Sequence, residues 1–136
     1  MSTFLLEIVT PDHVAYSGEV ESLTVRGVEG DMGILPGHIP MVTPLQVAPL
    51  IVRTGKKTSQ IAVNGGFVEI RKDKVVVLAE SAEVAEEIDL QRAEAAKERA
   101  ERRLAVSSKQ DEIDFRRAEI SLKKAMNRIN VYSHKK

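Results

Sequence analysis

Cysteine is absent from this 136-residue chain, so disulfides, thiolate metal sites and cysteine nucleophiles are excluded together. Tryptophan is absent too, and three Phe and two Tyr are the only aromatics, too few for a base-stacking platform. The 20 Lys and Arg balance the 20 Asp and Glu, so no net field draws nucleic acid or an anionic membrane to the chain. No apolar run approaches the ~20 residues that a bilayer span needs. The opening MSTFLLEIVTPDH has no basic residue ahead of its short apolar stretch and no small-residue cleavage pattern, so no export signal is expected. The expectation is a cytoplasmic chain whose association with a membrane runs through a partner. The histidines, His13, His38 and His134, have no ligand spacing with one another or with carboxylates, so no metal site is expected. No G-x-S-x-G occurs and no Ser or Thr has an evident base, which leaves a catalytic site without support.

Helix breakers are missing from half of the chain. All eight Gly and all five Pro lie at or before Gly66. Charge divides there as well: residues 1–85 carry 7 basic against 10 acidic side chains, a balance of −3, and residues 86–136 carry 13 against 10, a balance of +3. The change of composition falls at about Ser81–Glu87 and predicts two parts, residues 1–84 and 85–136.

The first part reads as short strands separated by turn signals. Phe4, Leu6 and Ile8 alternate with Leu5, Glu7 and Val9 until Thr10-Pro11-Asp12 ends the run. Val20, Leu23 and Val25 form another piece, and Gly33–Pro40 is rich in turn residues. Val47–Val52, Gln60–Val63, Gly66–Arg71 and Lys74–Ala79 continue the pattern, with Gly55-Lys56 and Asp73-Lys74 at hairpin tips. About ten short strands at such spacing favour a β-sandwich or barrel over an α/β fold. Gly55-Lys56-Lys57-Thr58 lacks the full phosphate-loop pattern, because Leu50 stands at its first Gly and Lys57 at its Ser/Thr position. It reads as a charged tip. Asn64-Gly65-Gly66 reads as a turn or bulge that needs positive φ.

The second part reads as two antiparallel helices. From Ile88 the sequence is built of strong helix formers, with Leu90, Ala93, Ala96, Ala100 and Leu104 on one side. Val106–Gln110 interrupts the pattern, and Ser108 with Asp111 resembles a capping box. Phe115, Ala118, Leu122, Ala125, Met126 and Ile129 then form a second stripe. A five-residue link makes such helices antiparallel neighbours. Their Ala-rich contact buries little area at ~25 cal/mol per Å², set against the ordering of some fifty residues. The hairpin is expected to be marginal and able to open. Asp89, Arg92, Ala93, Ala96 and Arg99 share one helix face, and Lys124 and Arg128 are i, i+4 neighbours on the second helix. Such a face offers an acceptor for a base or ribose, room for a flat ring and cations for phosphates. Spacing alone does not separate this from an ordinary solvated face, where Glu and Arg pairs are common.

A resemblance narrows these alternatives. Gly30–Met41 (GDMGILPGHIPM), Val63–Glu69 (VNGGFVE), Ala93–Leu104 and Lys124–Arg128 resemble the epsilon subunit of bacterial F-type ATP synthases, in the order that family has them. The resemblance implies an N-terminal β-sandwich followed by a C-terminal two-helix hairpin, in a non-catalytic subunit of the rotary central stalk. It implies a peripheral location on the cytoplasmic face of the cell membrane. It implies docking of the sandwich on the gamma subunit and the c-ring, with Gly33, Ile34, Leu35, Pro36, His38 and Met41 as the rotor-docking segment. The hairpin is expected to switch between a compact form and an extended form that meets the beta (and alpha) subunits of the catalytic head and blocks ATP hydrolysis. In bacillus-like members the motif I/L-D-x-x-R-A accompanies ATP binding in the compact form, and here it stands as Ile88-Asp89-Leu90-Gln91-Arg92-Ala93. By resemblance Ile88, Asp89, Arg92 and Ala93 of this motif bind ATP, Glu83 precedes it on the adenine side, and Arg99 with Lys124 and Arg128 of the second helix face the phosphates. ATP is then a regulatory ligand, and whether Mg²⁺ accompanies it is left open. One departure stands out: Lys124 occupies a position that close relatives fill with Arg, keeping the charge but losing the bidentate fork. The other reading is a stalk subunit whose hairpin is a mechanical latch without nucleotide sensing.

Overall fold

The computed structural model describes residues 2–106 and 112–135. Eight strands come first: β1 (Phe4–Val9), β2 (Val14–Val20), β3 (Ser22–Gly27), β4 (Gly30–Ile34), β5 (Met41–Thr54), β6 (Lys57–Ile70), β7 (Lys74–Ala79) and β8 (Ala82–Val84). A single 3-10 turn, Ala85–Glu87, leads to α1 (Leu90–Val106) and α2 (Glu112–Ser133). The strands are fewer and longer than the sequence suggested. Val47–Val52 and Gln60–Val63 are pieces of two 14-residue strands, Val20 closes a strand that begins at Val14, and part of the turn-rich segment is β4. Pro44 and Pro49 hid the length of β5, because proline inside a run argues against a central strand. The sheet accommodates them: the β3 ladder skips from Ile51 to Leu45, and Pro49 sits within that gap and Pro44 beyond its end.

The strand order is β2-β1-β7-β6-β5-β3-β4, with β8 also on β6. β6 changes partner along its length, pairing β8 through Ile61–Val63 and β7 through Gly66–Ile70, while β5 follows it throughout. The two long strands therefore belong to both layers of a sandwich. Phe4, Leu6 and Ile8 point inward to meet Val25, Val52, Val63 and Val77, and the alternation read from the sequence is the alternation of burial. β1 pairs β2 antiparallel and β7 parallel, with Lys74 Nζ donating to Glu7 Oε1 at 3.0 Å across the parallel pair.

Two glycines set the geometry. Gly55, at φ +61°, is the first residue of the two-residue β5–β6 loop, where a type II′ turn requires glycine. Gly66 lies at φ +135°, and a Cβ there would fall 2.1 Å from the Leu78 carbonyl oxygen and 2.9 Å from Ala79 Cα. No side chain fits. Gly65 and Gly66 both take positive φ, as the sequence indicated, but there is no bulge: the register of β6 with β5 is the same on either side, and this is where β6 leaves β7 for β8.

The helices pack along small residues. Ala93 and Ala100 of α1 and Ala118 and Ala125 of α2 are buried, each pair seven residues apart, so the backbones lie close and little apolar area is covered. Helix α1 opens at Leu90 rather than Ile88 and continues to Val106, the first residue of the expected break. The suggested capping box at Ser108 and Asp111 lies outside the described residues. Two members of the expected α2 stripe, Phe115 and Met126, are exposed, while Asn127 and Val131 are buried instead. The reason is that α2 has two buried faces: one turns to α1, the other to β5 and β6.

Gly66→Ala is expected to lower stability by at least about 3 kcal/mol, from strain at positive φ and overlap with β7. Gly33→Ala, whose new methyl meets nothing within 4 Å, is expected to stay within about 0.5 kcal/mol; denaturant midpoints of the two variants check the contrast. Ala125→Leu overfills the fully buried helix contact at a cost of about 1–3 kcal/mol. Its helical signal should melt at lower temperature while the sandwich keeps its midpoint, as followed by circular dichroism and hydrogen exchange.

Candidate functional site

A cleft of about 500 Å³ opens between α1 and the sandwich. One wall is helical: Arg92, Ala93, Ala96 and Arg99 line it in the i, i+1, i+4, i+7 pattern of a single face. Asp89 stands just before that helix as its N-cap, its Oδ1 accepting the Arg92 N–H at 3.1 Å while its carbonyl accepts the Ala93 N–H at 3.0 Å. The carboxylate is therefore held at the positive end of the helix dipole, with one oxygen already engaged. The opposite wall comes from the β1–β2 turn and from the turn and strand that follow β7, which bring Asp12, His13, Glu80 and Glu83 to the cleft. Thr10 Oγ1 shapes the first of these turns by accepting the N–H groups of Asp12 and His13 at 3.3 and 3.2 Å.

Beyond Arg99 and Arg128 the cleft continues into a second hollow of about 360 Å³, lined by Arg99, Arg103, Lys124, Arg128 and Ser121 over Ala96 and Ala100. No carboxylate lines it. The first hollow thus mixes Asp12, Glu80, Glu83, Glu87 and Asp89 with Arg92, Arg99 and Arg128, while the charged residues among the described lining of the second are all cations. Such a change of lining matches an elongated ligand with amine donors at one end and anionic oxygens at the other. Two of the cations are tied to the sandwich: the Arg128 guanidinium pairs with the Glu83 carboxylate, and Lys124 Nζ lies 3.8 Å from Glu80 Oε2.

The structure brings together Glu83, Asp89, Arg92, Ala93, Arg99 and Arg128 in one cleft, and places Lys124 in the adjoining basic hollow. Ile88 does not line it. Its side chain is buried with Ala62, Ala85 and Val131, where it pins the start of the hairpin to β6. The β1–β2 turn residues, Arg103 and Ser121 were not anticipated; nothing in local spacing connects Asp12 to Asp89, because strand register alone brings them together. Among the rotor-docking candidates, Ile34 is 1% exposed and belongs to the sandwich core, since β4 alternates and Ile34 falls on its inward face. Leu35 and Met41 are exposed, as are their unanticipated neighbours Ile39 and Val42, while Pro36 and His38 are half-buried. Among the described residues, no group of His, Asp and Glu is placed to hold a metal ion, and no helix is long and apolar enough to cross a membrane.

Comparison with known proteins follows the same division of the chain. Residues 3–85 match the family described as ATP synthase, Delta/Epsilon chain, beta-sandwich domain, and residues 86–133 match its long alpha-helix domain. The ATP synthase epsilon chain of Alkalihalophilus pseudofirmus is 54% identical over 111 residues, which is 82% of this chain and 83% of that one. The epsilon chain of Brevibacillus brevis is 52% identical over 105 residues, 76% and 80% of the two chains. A chain in the Euglena gracilis mitochondrial ATP synthase structure superposes with a TM-score of 0.78 at 28% identity, covering 98% of this chain and 83% of that one. A chain from the Tetrahymena thermophila mitochondrial ATP synthase shares the fold at a TM-score of 0.56 and 16% identity. With both halves matched and the sandwich-and-hairpin architecture in place, the chain belongs to the delta/epsilon family of ATP synthase subunits, as an epsilon chain.

Proposed function

We propose that this epsilon chain, a non-catalytic subunit of the F-type ATP synthase, is a stalk coupling element whose hairpin is held compact by ATP. In this reading the nucleotide occupies the groove between α1 and the sandwich, with its base toward Glu83 and Asp89 and its phosphates toward Arg99, Lys124 and Arg128. When the nucleotide leaves, the hairpin extends toward the beta and alpha subunits of the catalytic head and blocks ATP hydrolysis. The sandwich stays on the rotor, the exposed Leu35, Ile39, Met41 and Val42 offering an apolar surface to the gamma subunit or the c-ring. The observation that carries the proposal is the groove's change from mixed charge to cations, aligned along a single face of α1. The cationic hollow has no carboxylate in its lining, so Mg²⁺ arriving with a nucleotide is held there by phosphate oxygens and water.

The energetics fit a population shift. A ligand that binds only the compact form stabilises it by about 2.7 kcal/mol at a hundredfold excess over Kd. Two thinly packed helices can be governed by a term of that size. One observation favours the mechanical latch as a second reading: Lys124 and Arg128 already have carboxylate partners on the sandwich, and Asp89 already caps α1, so the compact form has its own ties.

Titration calorimetry of the chain with ATP, with and without Mg²⁺, separates the two readings. The wild type is expected to saturate below millimolar ATP, and Arg92→Ala to bind at least about tenfold more weakly for loss of a charged contact. Asp89→Asn keeps a good cap and should weaken ATP without loosening α1, whereas Asp89→Ala should do both. Lys124→Arg, restoring the fork, should tighten binding several-fold. No heat from the wild type at millimolar ATP, or equal binding by Arg92→Ala, returns the hairpin to a purely mechanical role.

A further inference from the structure

Helix α2 turns a second face to the sandwich, separate from its alanine contact with α1. Lys124, Asn127, Arg128 and Val131 fall at i, i+3, i+4 and i+7, so they form one stripe along the helix. At its centre Asn127 is 6% exposed, and its Nδ2 donates to the Val63 carbonyl at 3.1 Å and to Asn64 Oδ1 at 3.2 Å. Both partners are acceptors, which fixes the orientation of the amide. Asn64 is itself fully buried and immobilised: its Nδ2 donates to Ser81 Oγ at 2.8 Å and its backbone N–H to the Ser81 carbonyl at 3.0 Å. The β8 ladder ends at Val63 and the positive-φ pair Gly65-Gly66 follows, so the sheet leaves Val63 O and Asn64 Oδ1 for α2.

We infer that Asn127 is the docking key of the hairpin: its paired hydrogen bonds to Val63 and Asn64 set the register in which α2 seats on the sandwich, and close the hairpin without nucleotide. A one-turn slip of α2 would bring Lys123, Lys124 or Val131 over the two buried acceptors, none of which reproduces the pair, or else Asn130, in which case Val131 would replace Arg128 opposite Glu83 and His134 would replace Val131 in its apolar cluster. Helix propensity argues the same way, since Asn is a poor interior helix residue and Ala a better one. On release, water solvates Val63 O, Asn64 Oδ1 and also Asn127 Oδ1, which is buried without a hydrogen-bond partner while the hairpin is closed, so opening strands no acceptor. That property suits an interface that opens and recloses. None of Val63, Asn64 and Asn127 lines the nucleotide cleft, so the key does not depend on the ATP reading. If that reading holds as well, the key sets the closed fraction, and the apparent ATP Kd scales inversely with it.

The test is amide hydrogen exchange of the nucleotide-free full chain, as wild type, Asn127→Ala, Asn64→Ala and the double variant. Asn127→Ala should raise exchange across residues 124–133 by on the order of tenfold, although Ala favours the helix, and leave β1, β6 and β7 protected. The double variant should be no worse than the worse single one, because the pair acts as a unit. Unchanged α2 protection in Asn127→Ala, or additive losses, overturns the inference. Should Asn64→Ala unfold the sandwich, Asn127→Ala still decides, since its side chain belongs to the hairpin. Calorimetry on the same samples keeps the readings apart: a wild type that takes up no ATP ends the sensor proposal and leaves the exchange result standing.

Discussion

The contact on which most of this architecture depends is the approach of Gly66 to the Leu78 carbonyl and Ala79. It leaves no room for even a methyl group and requires positive φ, so the chain can cross this point only with glycine. Because β6 turns through two positive-φ glycines here with its β5 register unchanged, it can hand its other edge from β7 to β8, and one strand serves two layers. The same crossing sets Ser81 against Asn64 and Glu83 against Ala62, with Glu80 N–H donating to the Gly65 carbonyl at 3.1 Å. The surface on which the hairpin rests, and one wall of the cleft, follow from that crossing.

The two parts of the chain are stabilised differently. The sandwich buries Leu6, Ile8, Leu23, Leu50, Ile61 and several valines completely or nearly so, enough apolar area for a small independent fold. Among the described residues, the hairpin buries four alanines along its own seam and sets Ile88, Val131 and the half-buried Tyr132 against the sheet. Its remaining attachments are polar and ionic, through Asn127, Arg128 and Lys124. Polar attachments exchange readily with water and yield only modest net free energy. The sandwich therefore carries an appendage held by modest terms, and in the proposed switch that is the condition under which a ligand or a partner can choose between closed and open forms.

How far the sequence reveals this depends on which interactions are local. The change from strands to helices was legible because helix breakers vanish after Gly66 and alanine then recurs at helical spacing. The cleft's helical wall was legible for the same reason, since Asp89, Arg92, Ala93 and Arg99 lie within three turns of one another. The other wall was not, because Asp12 and His13 arrive through strand register, which no short window encodes. Met126 was assigned to the interior and Asn127 ignored because hydrophobic patterning counts only apolar residues. A helix that docks through a buried amide inverts that rule at two adjacent positions. Ile34 and Ile88 show the converse error: both stand inside recognisable motifs, yet both serve packing.

The parallel pairing of β1 with β7 has a consequence for how the molecule is made. Leu5 lies beside Lys74 and Val9 beside Leu78, so β1 lacks its inner neighbour until synthesis has passed β7. Until then β1 and β2 can form only an isolated hairpin, which is marginal in water. Contacts of such separation slow the search for the native sheet. The helices pair locally and follow β8 in the chain, onto a platform that β7 and β8 have only just completed. Biosynthesis thus repeats the order of packing, with the sandwich closed first and the hairpin laid upon it afterwards.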